Sequence, residues 1–151
     1  MQASVYRLTM SHPGDLSELA ALFESGRLNP SHVIAVIGKT EGNGGVNDFT
    51  RGYFTLAFAT LMAGKLRLDL PQVIARIPCI LSGGTEGVLT PHFTVFARSP
   101  AAAQPDGKRL AIGVAFSAPM LQEQIGRQAH IDAVAAAVRA AIDDAGLDNP
   151  E

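Results

Sequence analysis

The sequence predicts a mixed α/β domain, and three observations carry that reading. Two compact apolar runs, Val33-Ile34-Ala35-Val36-Ile37 and Ile77-Pro78-Cys79-Ile80-Leu81, each end abruptly in a glycine-rich loop. Apolar residues recur at helical spacing before, between and after those runs. The 151 residues are 47% apolar and 17% charged, which is enough to bury the core of one domain.

Taken in order, Val5 to Thr9 reads as a short strand, followed by the turn His12-Pro13-Gly14-Asp15. Asp15 is placed to cap a helix from Leu16 to Ser25. That helix puts Leu16, Leu19, Ala20 and Phe23 on one face and stops at Gly26, a natural residue to follow a helix end. The β-branched run from Val33 to Ile37 is of the kind buried on both faces of a sheet. Asn47 or Asp48 then caps a long helix from about Phe49 to Lys65, with Phe54, Phe58, Leu61 and Met62 forming its apolar stripe. A short helical stretch, Leu70 to Arg76, leads into the strand 77–81. Two further strands, His92 to Arg98 and Leu110 to Ser117, are joined by a Pro/Ala/Gln linker from Ala101 to Lys108. An alanine-rich helix, Ala133 to Ala145, ends at Gly146. The order β-α-β-α-β-β-β-α contains no internal repeat of solenoid length.

Composition removes several function classes. An apolar fraction this high is incompatible with intrinsic disorder. The longest nearly apolar run, Leu56 to Gly64, is far shorter than the roughly 20 residues that span a bilayer, and the N-terminus shows no secretory pattern. The expectation is a cytoplasmic protein with no membrane partner. A net charge of -2 argues against a nucleic-acid partner. Cys79 is the sole cysteine, and His12, His32, His92 and His130 are scattered without helical pairing, so no metal site and no cofactor are expected in this unit. Gly38-Lys39-Thr40 imitates the end of a phosphate-binding loop, but the glycine that motif needs at position 33 is Val33.

The chemistry concentrates in the two loops, because the carboxyl ends of strands are where α/β proteins bind ligands. The first loop, Gly38-Lys39-Thr40-Glu41-Gly42-Asn43-Gly44-Gly45, offers Lys39, with Asp48 and Arg51 beyond it. The second offers Ser82 followed by Gly83 and Gly84. A serine hydroxyl is a weak nucleophile until a base takes its proton, and a neutral lysine amine is such a base. Glycine beside it frees backbone N–H groups to converge on an oxyanion. Lys39 and Ser82 form that dyad if their strands pair; otherwise Lys39 is a solvated loop residue and Ser82 caps a turn. Arg51 is either a surface charge or a planar fork for a ring carbonyl. Glu41 and Glu86, one in each loop, either orient Lys39 or the substrate or are simply solvated.

The stretches Gly38-Lys39-Thr40-Glu41-Gly42-Asn43-Gly44, Val46-Asn47-Asp48-Phe49-Thr50-Arg51 and Ser82-Gly83-Gly84-Thr85-Glu86-Gly87-Val88-Leu89-Thr90-Pro91-His92 resemble the first of three structural units in the cyanuric acid hydrolase and barbiturase family. Gly107-Lys108-Arg109-Leu110 and Glu123-Gln124-Ile125-Gly126-Arg127 fit as well, so the resemblance runs over essentially the whole chain. It implies that residues 1–151 form a single mixed-sheet α/β unit of chorismate-mutase-like type, one third of a pseudo-threefold barrel of three units. It implies a cyclic amidohydrolase that opens cyanuric acid to carboxybiuret, which loses carbon dioxide to give biuret. Each unit of the family contributes a Lys, an Ser and an Arg to the substrate. Carried over here, these are Lys39 and Ser82, equivalents of the catalytic pair, with Arg51, Ser82 and Gly83 binding the ring. In the family the attacking serine belongs to the second unit, and the first mainly binds substrate. Family enzymes are more than twice this length, so the expectation is an isolated or truncated first unit that self-associates, a homotrimer restoring the symmetry. Two other readings remain at this level. One is a barbiturase unit acting on barbituric acid; the other is a non-catalytic, self-associating α/β module that holds a small planar ligand.

Overall fold

The computed structural model describes residues 1–84, 90–100 and 110–148. Thr85 to Leu89, the linker from Ala101 to Lys108 with Arg109, and the last three residues lie outside the described residues, so Glu86 and Lys108 do too. The chain divides into two compact parts, Ser4–Ser99 and the chain from Pro100 onward with the first three residues.

In the first part the β-branched run becomes strand β2 (Val33–Lys39), an inner strand of a four-stranded sheet. Its neighbours are β3 (Cys79–Ser82), parallel to it, and β4 (His92–Ser99), antiparallel. β1 (Gln2–Thr9) lies outside β4, which gives the order β1-β4-β2-β3. The sheet is therefore mixed, as the sequence implied. Alternation along the strands sorts side chains onto two faces. Val36 on β2 pairs with Val95 on β4 and Cys79 on β3, and Gly38 pairs with Phe93 and Leu81. These point into the core.

Three helices complete that core: α1 (Ser17–Glu24), α2 (Thr50–Leu66) and α3 (Leu70–Arg76). Leu19, Leu22 and Phe23 come from α1, Phe54, Phe58, Ala59 and Met62 from α2, and Val73 from α3. Leu61 and Leu16, expected on the apolar faces, pack at its edge. Phe54 stacks on Phe58 and meets Phe93 edge-on at 5.1 Å, so the α2 stripe is locked directly onto β4. Replacing Phe54 with alanine is expected to cost about 3–5 kcal/mol, measured by denaturant unfolding, because a fully buried ring leaves a cavity.

Helix ends follow the local sequence. Asp15 lies one residue before the boundary residue Leu16, yet its carboxylate accepts from the Ser17 amide and hydroxyl and from Ser11, tying the turn to the first helical turn. Those hydrogen bonds, led by the Ser17 hydroxyl, hold its carboxyl well below the usual carboxylate range. Gly26 follows α1 with φ of +70°, the left-handed geometry glycine adopts freely. Asp69 closes a capping box with Gln72 at the start of α3.

Two expectations are corrected. The Val33–Ile37 run is buried on one face only: Ile37 is 46% exposed, as is much of Ile80 beside it and of Val5 on β1. The core helices pack on the face bearing Val36 and Phe93, and β-branching reports strand propensity without counting the layers that cover it. Second, Leu110–Ser117 forms no strand. In the second compact part Val114 gives its N–H to the Asp144 carboxylate at 2.9 Å. Gly113 lies so close to the backbone of Ala141 and Ala145, on and just beyond α4 (Gln128–Asp144), that a β-carbon there would collide. The segment is held by a helix, and its alternating pattern joins no ladder among the described residues. No helix among the described residues is long and apolar enough to cross a membrane.

Candidate functional site

The parallel register of β2 and β3 decides the site. It pairs Lys39 with Ser82, which places two residues 43 positions apart on the same sheet face at the ends of adjacent strands. The Lys39 Nζ lies 3.1 Å from Ser82 Oγ and also donates to the Gly83 carbonyl. The strand ends are zipped one step further, since the Thr40 amide donates to the Ser82 carbonyl at 2.9 Å and the Gly84 amide donates to the Gly42 carbonyl. Lys39 is half-buried, Ser82 exposed and Gly83 buried. A hydroxyl open to a ligand thus sits beside an amine whose reach is fixed by backbone. The Gly83 N–H has no acceptor among the described residues.

Arg51 stands in the first turn of α2. Its Nη2 donates to the Gly45 carbonyl at 2.9 Å, and its Nε lies 3.4 Å from Oδ2 of Asp48. The Arg51 side chain is 37% exposed and that of Asp48 fully buried. Asp48 collects more than the cap predicted for it. Oδ1 accepts from the Thr50 amide at 2.9 Å and from the Thr50 hydroxyl, while Oδ2 accepts from the Gly44 amide at 2.9 Å. The Thr50 hydroxyl, with these amides and the Arg51 guanidinium, holds the Asp48 carboxyl below the ordinary carboxylate range. The sequence offers Asp48 as a cap and as a polar residue beyond the first loop, but not as the partner of Arg51, because the same Asx-cap pattern opens many helices.

His92 is the other residue the sequence left unassigned. The antiparallel register of β4 sets it directly across from Lys39, on the face that also carries Ser82. Its Nδ1 is 2.6 Å from the Thr90 carbonyl, which can only accept, so Nδ1 carries the proton of that contact. Cross-strand pairing is invisible until the register is known. Glu41 is exposed and has no partner among the described residues, which favours the solvated reading. Burial pushes the Cys79 thiol up to about 11, so it stays protonated near neutral pH and is no competitor as a nucleophile. Among the described residues no three His, Cys, Asp or Glu side chains cluster to hold a metal ion.

Comparison with known proteins bears out the family resemblance. Residues 4–151 match the amidohydrolase ring-opening protein family. The chain is 48% identical over 151 residues to a cyclic amide hydrolase of Azorhizobium caulinodans, covering 99% of this chain and 41% of that protein. It is 50% identical over 145 residues to the cyanuric acid amidohydrolase of Pseudomonas sp. strain ADP, covering 95% and 40%. A solved structure described as cyanuric acid hydrolase superposes with a TM-score of 0.90 at 50% identity, over 96% of this chain and 40% of that one. The crystal structure of the A. caulinodans enzyme gives 0.84 at 38% identity, over 98% and 40%. The chain thus spans about 40% of the length of the relatives it matches. With a four-stranded mixed α/β unit shared at this identity over nearly all its residues, the chain belongs to the amidohydrolase ring-opening family.

Proposed function

We propose that this chain is the substrate-binding unit, equivalent to the N-terminal repeat, of a cyclic amide hydrolase that opens the cyanuric acid ring by Ser/Lys chemistry. The observation that carries the reading is the 3.1 Å approach of Lys39 Nζ to Ser82 Oγ on paired strand ends. In an assembly built only of copies of this chain the same pair both holds and opens the ring: Lys39 Nζ takes the Ser82 proton as Oγ bonds to a ring carbonyl carbon. The C–N bond then breaks, and Lys39 returns the proton to the departing ring nitrogen. The Gly83 amide and the Arg51 guanidinium supply donors for ring oxygens, where negative charge develops. Water releases carboxybiuret from the serine, and loss of carbon dioxide leaves biuret.

A ring with three equivalent carbonyls calls for three donor sets, and one unit supplies a third of them. Three copies arranged as a pseudo-threefold barrel meet that requirement. Val5, Ile37 and Ile80, exposed on the face that carries Lys39 and Ser82, give such an assembly apolar surface to bury, and β3 is an edge strand of the sheet among the described residues. Biuret release from cyanuric acid by the purified chain, with barbituric acid as rival substrate, tests the activity. Sedimentation equilibrium with and without cyanuric acid tests the assembly. A trimer that releases biuret is the expected result. A monomer that neither binds cyanuric acid nor releases biuret overturns the proposal.

A further inference from the structure

The two loops are held together by more than the strand ladder. Asp48 touches both of them. Its carboxylate takes the Gly44 amide from the first loop and packs against Gly83 of the second, where no side chain would fit. It also takes both the amide and the hydroxyl of Thr50 at the head of α2. The Thr50 oxygen is 2.9 Å from the Thr40 hydroxyl, which is fully buried at the end of β2. A hydroxyl has one proton, and an ionised carboxylate is the stronger acceptor, so Thr50 donates to Asp48 and Thr40 donates to Thr50. A continuous chain therefore runs from Thr40, the residue after Lys39, through Thr50 and Asp48 to the Arg51 guanidinium.

We propose that Asp48 is a positioning residue that fixes Arg51 relative to the Lys39–Ser82 pair, so that one buried carboxylate sets the spacing between the ring-binding fork and the amine–hydroxyl dyad. This rests on the ring-binding role of Arg51 proposed above. Arginine carries long, freely rotating torsions, and a fork that must meet a flat ring loses less entropy on binding if it is already clamped. The Gly45 carbonyl accepts from Nη2 and the Asp48 carboxylate stands beside Nε as its ion-pair partner, while Nη1 has no partner among the described residues.

The test combines NMR with ligand titration on the whole chain, using Asp48→Asn, Arg51→Lys and the double variant, with cyanuric acid as the probe. The Arg51 Nε–H signal, assigned by its loss in Arg51→Lys, is expected to be resolved and slowly exchanging in the wild type and lost to exchange in Asp48→Asn. Each single variant is expected to weaken cyanuric acid binding about tenfold. The double variant is expected to bind no worse than Arg51→Lys alone, since the carboxylate acts through that guanidinium. Thr50→Val, which cuts the same chain without removing the charge, is expected to loosen the Arg51 signal as well, and serves if Asp48→Asn does not fold. An unchanged Nε–H signal in Asp48→Asn, or in Thr50→Val where that variant stands in, or multiplicative losses in the double variant, overturns the positioning role. If Arg51→Lys binds cyanuric acid normally while Asp48→Asn still frees the Nε–H, it is the ring-binding role of Arg51 that falls, and the clamp stands.

Discussion

Ser82→Ala is expected to lower kcat for biuret release by at least about 10⁴-fold while leaving the fold intact, because it removes the atom that bonds to the ring carbonyl. Lys39→Met is expected to cost about 10²–10⁴-fold, the range set by loss of a positioned general base. The double variant should be no slower than Ser82→Ala alone, since a base with no hydroxyl to deprotonate contributes nothing. Stability should barely move for Ser82→Ala. Ser82 is exposed at the end of an edge strand, apart from the core built on Phe54, Phe58 and Phe93. Steady-state assays across cyanuric acid concentration, with a thermal melt of each variant, separate the two effects. If every copy in the assembly is this chain, Ser82 must serve both as ring contact and as nucleophile, and the loss falls on kcat. A Ser82→Ala enzyme with kcat retained and KM raised would instead confine Ser82 to holding the ring.

How far the sequence reached is clearest at this pair. Lys39 and Ser82 were legible as candidates, since each stands where a buried run gives way to glycines. Their meeting was not, because it depends on a parallel register that pairs 39 with 82 and not with 81 or 83. A slip of one residue would turn one side chain to the opposite face. The helix stripe Phe54, Phe58, Met62 was legible because its 3.6-residue period is local. The exposure of Ile37 was not, since a β-branched residue looks the same under a helix layer or beside a site. The expected strand from Leu110 to Ser117 failed for a similar reason: alternation is a local property, whereas a ladder needs a partner, and here Gly113 and Val114 are taken up by α4. His92 and Asp48 share that limit in part, since His92 matters by lying across from Lys39 and Asp48 by packing against Gly83, both distant in sequence.

Gly83→Ala is expected to be the most damaging single-methyl change in the site. A β-carbon there would meet the Asp48 carboxylate and come within 2.6 Å of the Gly44 amide nitrogen and 2.8 Å of the Gly42 carbonyl oxygen. Two of those three atoms are backbone, so no rotamer change relieves the clash, and the two loops must separate. Separation stretches the Gly84–Gly42 hydrogen bond, moves the carbonyl that Lys39 grips, and pushes Asp48 off Arg51. All the proposed ring contacts of this unit then lose their geometry together, for an overpacking cost of about 1–3 kcal/mol. A displacement of about 1 Å at a reacting centre is sufficient for a loss near 10²-fold, so binding and ring opening should both fall by at least about that factor. Gly64→Ala is the matched control. Gly64 lies within α2 with open space where the methyl would go, and the added methyl should stabilise the helix by about 0.5–1 kcal/mol without touching activity. Paired melts and cyanuric acid titrations of the two variants check both signs. If Gly83→Ala binds as tightly as the wild type, then contact between the loops is not what builds the site, and the strand register alone would have to account for the approach of Lys39 to Ser82.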